Sequence, residues 1–298
     1  MTHSISLLKE AKKAHLLDTD ISYFDIGSGA DTVVLVHGLA GNKLLWKDSL
    51  RAFAEAGFRV IAVDLPGHGQ SSHLIPSNYS LEIYVEFLNS LIQNLDIKKV
   101  NLIGHSMGAQ IAVHLAVKHP KQVSNLILCS PAGFEVFNTV QSLSLRTFII
   151  PTFLRYLNKH SLRSFIEDNF HQWSDEYAWI TRYYEQQLEQ KKRHQLMQVF
   201  GDSVAAMLNE PVHHLLKKIS QPTLVVAGEE DRYIPNRLFK RINTAAIMQN
   251  GAEKIQNSRL IMIPKAGHLV NMEYPALFNQ AVVDFIVENN TQQHKLVG

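Results

Sequence analysis

The chain reads as an α/β protein in which a mostly parallel, twisted sheet is flanked by helices and interrupted late by a helical insertion. Two observations carry that reading. Short runs rich in Val, Ile and Leu alternate with segments of helical spacing, as expected for a parallel sheet buried on both faces and joined by crossover helices. The rhythm then breaks between about residues 133 and 220, where the sequence turns helical and aromatic and no comparable strand-like run occurs.

Taken in order, residues 21–26 run into Gly27-Ser28-Gly29 and read as a strand entering a turn, an antiparallel edge of the same sheet. Strands are expected at 32–36, 59–63, 100–103, 123–128, 223–227 and 260–263. Between the second and third of these, Leu81, Val85, Leu88, Ile92 and Leu95 recur at spacings of three and four, which puts them on one helical face; Ser80 is placed to cap that helix. Phe148, Phe153, Phe165, Phe170, Trp173 and Tyr184 mark the insertion, which is expected to cover the carboxyl ends of the strands as a lid. The organisation expected is a core domain from residues 1–132 and 221–298, with a helical cap over 133–220. The stretch from Glu288 is polar enough to read as a frayed tail.

Composition narrows the function classes. The 298 residues are 46% hydrophobic and 19% charged, ample for a sizeable buried core. A formal charge of +2, without a long run of Lys and Arg, argues against a nucleic-acid partner and for a small-molecule substrate. The single cysteine, Cys129, lies in an apolar run and reads as a buried small hydrophobe. Lys9, Glu10, Lys12 and Lys13 interrupt the N-terminal apolar stretches, and no segment reaches the length of a membrane span, so a cytoplasmic protein is expected.

The chemistry is concentrated in Gly104-His105-Ser106-Met107-Gly108, set between the strand 100–103 and a helix-like stretch over 109–117. A G-x-S-x-G motif forces a sharp strand-to-helix turn. It lifts the serine hydroxyl above the sheet, where the first N–H groups of the helix face the same space. A bare match arises by chance in roughly one chain of this size in ten, so the surroundings decide. Serine is a weak nucleophile without a general base, and the base needs an acid to fix its tautomer. In open parallel sheets such partners come from loops beyond the carboxyl ends of strands. The loop after 223–227 offers Asp231, and the loop after 260–263 offers His268.

The order Ser106, Asp231, His268 resembles the α/β-hydrolase superfamily along nearly the whole chain. His37-Gly38 resembles that family's oxyanion loop, and Asp64-Leu65-Pro66-Gly67-His68-Gly69-Gln70-Ser71-Ser72 resembles its turn after the next strand. The resemblance implies that the backbone N–H groups of Leu39 and Met107 form the oxyanion hole, and that neither metal nor organic cofactor is needed. Glu229 and Glu230 compete with Asp231 as the acid, and Glu135 would serve if the acid followed the preceding strand, as in some relatives. His105, His37 and His68 read as bracing residues. The adjacent His213-His214 cannot put both rings on one helical face, which argues against a metal site there.

These readings point to a serine esterase of lipase-like type acting on esters of modest size and low charge. Residues 146–157 suit an acyl-chain or aromatic pocket, although they could equally dock the lid. One alternative is a C–C bond hydrolase of vinylogous diketone acids, whose elbow typically resembles G-N-S-M-G, where this chain has His105; Trp46 and Arg155, Arg163, Arg182 and Arg193 keep that alternative open. Epoxide hydrolases and haloalkane dehalogenases resemble the scaffold but use aspartate as nucleophile. Proline-selective aminopeptidases usually carry Gly before the serine and Trp after it. A slow-turnover ligand sensor is the alternative from outside catalysis. Oligomeric state is not legible.

Overall fold

The computed structural model describes residues 11–75, 78–189 and 193–297. Its strands are β1 (Lys12–Leu16), β2 (Thr19–Ile26), β3 (Thr32–Val36), β4 (Arg59–Val63), β5 (Val100–His105), β6 (Val123–Cys129), β7 (Thr223–Gly228) and β8 (Ser258–Ile263). They form one eight-stranded sheet in the order β1-β2-β4-β3-β5-β6-β7-β8. Pairing is antiparallel where β2 meets β1 and β4, and parallel elsewhere.

Helices fill the connections: α1 (Lys47–Glu55), α2 (Leu81–Asn94), α3 (Met107–Lys118), α4 (Thr139–Ser144), α5 (Ile150–Tyr156), α6 (Lys159–Glu167), α7 (Ala178–Glu189), α8 (Arg193–Asn209), α9 (Thr244–Ala252), α10 (Val270–Glu273) and α11 (Pro275–Val297). The Ser80 hydroxyl accepts the Ile83 N–H at 3.0 Å, the cap expected for α2. The central strands show why the apolar runs are continuous. In β3, Val33 and Leu35 join Trp46, Phe53, Phe278 and Val282 on one side of the sheet, while Val34 and Val36 join Leu81, Leu88 and Leu102 on the other. A strand covered on both faces has no solvent side to mark with polar residues. Each fully buried Leu, Val or Phe contributes about 1.5–3 kcal/mol.

Two expectations need correction. The strand over 21–26 is antiparallel but is not the edge, because β1 pairs outside it. Only Ala14 and Leu16 of β1 are buried, and its charged, short sequence is what an outer strand needs to resist further pairing. The polar tail from Glu288 is instead the last part of α11, held by Arg259–Glu288 at 2.8 Å and by Asn289 and Thr291 side chains donating to the Phe285 and Val287 carbonyls. Lys9 and Glu10 lie outside the described residues, and Lys12 and Lys13 open β1. Among the described residues no helix is long and apolar enough to cross a membrane.

Helices α4 to α8 lie between β6 and β7, where strands were absent from the sequence pattern. They carry a small core of their own, with Leu162, Ile166, Phe170, Tyr177 and Ile180 packed on Leu45, Leu269 and Met272. The Tyr184 hydroxyl donates to the Ala40 carbonyl, tying α7 to the loop after β3.

That loop is braced from beneath by a buried ion pair. Lys43 and Asp64, both about 1% exposed at the side chain, are in contact, and Lys43 Nζ also donates to Ser22 Oγ and Gln70 Oε1 at 3.0 Å each. Asp64 accepts the backbone N–H of Lys43 at 2.7 Å and of Gln70 at 2.8 Å. The loops after β3 and β4 are thereby joined through charged groups without access to water. Breaking one side of such a pair leaves the other charge stranded. Lys43→Met is therefore expected to lower the unfolding free energy by about 3–5 kcal/mol, read as a lower midpoint in urea; an unchanged midpoint would contradict this account.

Candidate active site

The expected sharp turn joins β5 directly to α3, and Ser106 occupies it with φ +51° and ψ −114°. For a residue with a side chain such a conformation costs about 1–3 kcal/mol and persists only where the surroundings enforce it. Here the Ser106 N–H donates to the Cys129 carbonyl at 3.0 Å, and the Ser106 carbonyl accepts the Ala109 N–H at 3.0 Å. The flanking glycines permit the approach. A Cβ on Gly104 would sit 2.6 Å from Ala109 Cα, and one on Gly108 would sit 2.9 Å from the Val36 carbonyl carbon.

Asp231, in the loop after β7, is fully buried. Its Oδ1 accepts the N–H groups of Tyr233 at 2.7 Å and Ile234 at 3.0 Å, which fixes the carboxylate plane. Oδ2 lies 2.7 Å from His268 Nδ1. A carboxylate can only accept, so the bond assigns the proton to Nδ1 and leaves the lone pair on Nε2. His268 and Ser106 line the same cavity. His105 packs its ring edge-on to His268, 4.7 Å between centroids, and its Nε2 donates to the His268 carbonyl at 3.0 Å. The residue before the serine thus braces the loop that carries the histidine.

The rival acids are elsewhere. Glu229 and Glu230 are exposed. Glu135 is buried, but its Oε2 accepts the Asn236 N–H at 2.9 Å. Leu39 also lines the cavity, and Gly38 packs closely on the elbow, since a Cβ there would lie 3.0 Å from Ser106 Cβ. Among the described residues neither the Leu39 nor the Met107 N–H is spent on a backbone carbonyl, and Met107 opens α3, where helix N–H groups face outward. The two N–H groups named from the family resemblance therefore remain available beside the serine.

His37 and His68 brace the surrounding loops. The Leu65 N–H donates to His37 Nε2 at 3.1 Å, so Nδ1 carries the proton given to the Gly38 carbonyl at 2.8 Å. His68 Nδ1 donates to the Pro66 carbonyl at 3.0 Å, and the two rings lie 5.0 Å apart. Burial pulls His37 down to about 4 and His68 down to about 3, and it holds His105 well below the ordinary histidine range, with His268 reinforcing that shift.

The cavity measures about 630 Å³. Leu145, Ile149, Phe153, Phe165, Phe200 and Leu208 give it an aliphatic and aromatic wall, and among the described residues no Lys or Arg lines it. Trp46, which kept the C–C hydrolase alternative open, is sealed in the core against Phe278. Arg155, Arg163, Arg182 and Arg193 are exposed. Ile149, Ile150 and Phe153 line the cavity, whereas Phe148 and Tyr156 point to solvent. His213 and His214 reach the cavity wall, and among the described residues no group of His, Cys, Asp and Glu is arranged to hold a metal.

One residue escaped sequence reasoning. Glu273 of α10 accepts the Gly267 N–H at 2.5 Å with one oxygen, and those of His171 at 2.9 Å and Gln172 at 3.1 Å with the other. The Leu269 N–H donates to the Asn169 carbonyl at 3.1 Å. The segment after α6 is thus linked to both neighbours of His268, directly at Leu269 and through the Glu273 carboxylate at Gly267, an arrangement with no local sequence signal.

Residues 31–275 match the model of a family described as the alpha/beta hydrolase fold. A curated relative, 2-hydroxy-6-oxononadienedioate/2-hydroxy-6-oxononatrienedioate hydrolase 1 of Pseudomonas putida, is 29% identical over 91% of this chain and 93% of its own. An esterase from Exiguobacterium antarcticum superposes with a TM-score of 0.77 at 25% identity, covering 92% of this chain and 98% of that one. A probable hydrolytic enzyme from Pseudomonas aeruginosa PAO1 gives 0.82 at 24% identity, covering 92% and 93%, and speaks to the fold alone.

The buried histidines set a pH dependence. An unfolded chain binds protons on these rings near pH 6.5, whereas the folded chain resists protonation until about pH 4 at His37 and about pH 3 at His68. Stability is full above the unfolded value and is lost as pH falls through this window, because the unfolded state binds more protons there. The urea midpoint is expected to decrease steadily from pH 7 to pH 4.5; a flat profile would show that these rings are not held neutral.

Proposed function

The chain belongs to the alpha/beta hydrolase fold family, and from that premise we propose a serine esterase that acts on carboxylic esters with apolar acyl or aromatic groups. The cavity against Ser106 and His268, walled by aliphatic and aromatic side chains without a Lys or Arg among the described lining, is the observation that carries this reading. In the proposed cycle, His268 Nε2 takes the Ser106 proton as Oγ attacks the ester carbonyl carbon. Asp231, bonded to Nδ1, stabilises the imidazolium that forms. The Leu39 and Met107 N–H groups receive the developing oxyanion. Collapse expels the alcohol, which takes the proton from His268 and leaves an acyl group on Ser106. Water, deprotonated by the same nitrogen, then releases the acid. Helices within 133–220 act as the cap that shapes the acyl site.

C–C bond cleavage is the second reading, favoured by the Pseudomonas putida relative. Its named substrates are dioates. Moving carboxylates from water into a wall without a Lys or Arg among the described lining costs several kcal/mol. The elbow residue His105, in place of the asparagine usual in that group, points the same way.

The two readings separate by multiple-turnover kinetics on 4-nitrophenyl esters of increasing acyl length and on a 2-hydroxy-6-oxo-dienoic acid. Ester kcat/KM is expected to rise with acyl length before the cavity fills, and to exceed that for the dienoic acid by at least about tenfold, the effect of 1.4 kcal/mol. Faster dienoate cleavage would move the assignment to the second reading, and only a single slow turnover on either would favour a sensor. Ser106→Ala is expected to lose about 10⁴-fold or more in kcat on the preferred substrate with its circular dichroism unchanged; wild-type turnover in that variant would remove Ser106 from the mechanism.

A further inference from the structure

The cavity wall is apolar except for a few side chains, and two of these hold acceptor oxygens without a hydrogen-bond partner among the described residues. Glu135, 8% exposed, lies just beyond β6 where the chain enters the insertion. Its Oε2 accepts the Asn236 N–H, while its Oε1 is buried and without a hydrogen-bond partner among the described residues. Gln110 of α3, 1% exposed, gives its amide N–H groups to the Met207 carbonyl at 3.0 Å and the Glu210 carbonyl at 3.4 Å, and its Oε1 is likewise buried without a partner. Both residues and Asn236 line the cavity that holds Ser106. A buried acceptor left unpaired costs about 1–3 kcal/mol, so a ligand that satisfies one recovers much of that penalty.

We propose that Glu135, flanked by Asn236, forms a subsite for a hydroxyl group carried on the substrate away from the scissile bond. The chemistry of the free oxygen selects that group. As a carboxylate, Glu135 accepts a hydrogen bond at Oε1. As an acid its proton sits on Oε1, because Oε2 already receives an N–H, and it then donates. A hydroxyl serves both states, since it donates and accepts. An ammonium is served only by the carboxylate and would enter an otherwise apolar wall with its charge; a second carboxylate is repelled by it. Burial pushes the Glu135 carboxyl above the ordinary carboxylate range, opposed by the Asn236 N–H and by Lys240 and reinforced by Asp231, so the neutral form is the more accessible here than at a surface glutamate.

This subsite rests on the ester reading for its reaction, but its binding is tested separately. On esters, the readout is the ratio of kcat/KM for a hydroxyacyl 4-nitrophenyl ester to that of its unsubstituted parent, taken across a series with the hydroxyl at successive carbons. Wild type is expected to show a maximum in that ratio at one position, and Glu135→Leu to lower the maximum about tenfold, the effect of losing one well-placed hydrogen bond. Glu135→Gln keeps an oxygen for the Asn236 N–H and is expected to retain part of the preference. In the second arm, calorimetry on Ser106→Ala compares an alkane-α,ω-diol with the alkanol of equal length; the diol is expected to bind more tightly, and the added Glu135→Leu change to abolish the difference. A wild-type ratio that shows no maximum, or one that Glu135→Leu leaves in place, overturns the subsite. Failure to cleave any ester, with the diol preference present and lost in Glu135→Leu, would instead overturn the ester reading and leave the subsite standing.

Discussion

Everything at the site depends on how closely backbone approaches backbone at the elbow. Gly108 brings the start of α3 against the carbonyls of Val36 and His37, and Gly104 brings the end of β5 against Gly108 itself. No side chain fits in either place, so the helix starts abruptly and Ser106 is left with φ +51°. One packing contact therefore fixes three things together: the height of the hydroxyl above the sheet, the outward direction of the Met107 N–H, and the nearness of the loop after β3 that carries Leu39. The strain at Ser106 is supported by this tight packing and by the Cys129 carbonyl bond, which is why it can be stored without loosening the fold.

The loops around the elbow are braced by buried polar groups. Lys43 and Asp64 join the loops after β3 and β4; His37 and His68, kept neutral by burial, bond the Gly38 and Pro66 carbonyls. Such groups contribute order more than net stability, since desolvating them offsets much of what their contacts provide. Glu273 extends the same logic to the histidine loop, because its carboxylate receives N–H groups from Gly267 and from His171 and Gln172 together. A shift of the segment after α6 would be transmitted to the backbone beside His268.

Short-range patterns were legible in the sequence, and long-range pairing was not. The buried parallel strands announced themselves as apolar runs, and the elbow as glycines around a serine between a strand and a helix. The order of Asp231 and His268 followed from loop position, and their 2.7 Å contact joins residues whose local sequence gives no sign of it. β1 was missed because an outer strand with two buried side chains lacks the apolar signature of the others. The end of α11 was misread because i to i−4 side-chain bonds stabilise a polar helix that looks frayed by composition. Trp46 supported the C–C hydrolase alternative on residue type alone, and packing against Phe278 places it in the core. The Lys43–Asp64 pair spans β4 and α1, which no spacing rule connects. Glu135 could be weighed only as a rival acid, because burial and an unpaired oxygen are properties of the folded wall.

The division of labour in the chain follows from where each group is mounted. Ser106, Asp231 and His268 stand on loops at the ends of β5, β7 and β8, whereas much of the cavity wall comes from helices inserted between β6 and β7. Reaction chemistry can therefore persist while recognition changes with the insertion. For a dioate to occupy this wall, its carboxylates would have to give up water without gaining a Lys or Arg among the described lining. An uncharged chain faces the opposite balance, gaining about 25 cal/mol for each Å² of apolar surface it removes from water. The electrostatics of the wall thus support the proposed preference for neutral substrates, which the proposed triad alone would not impose.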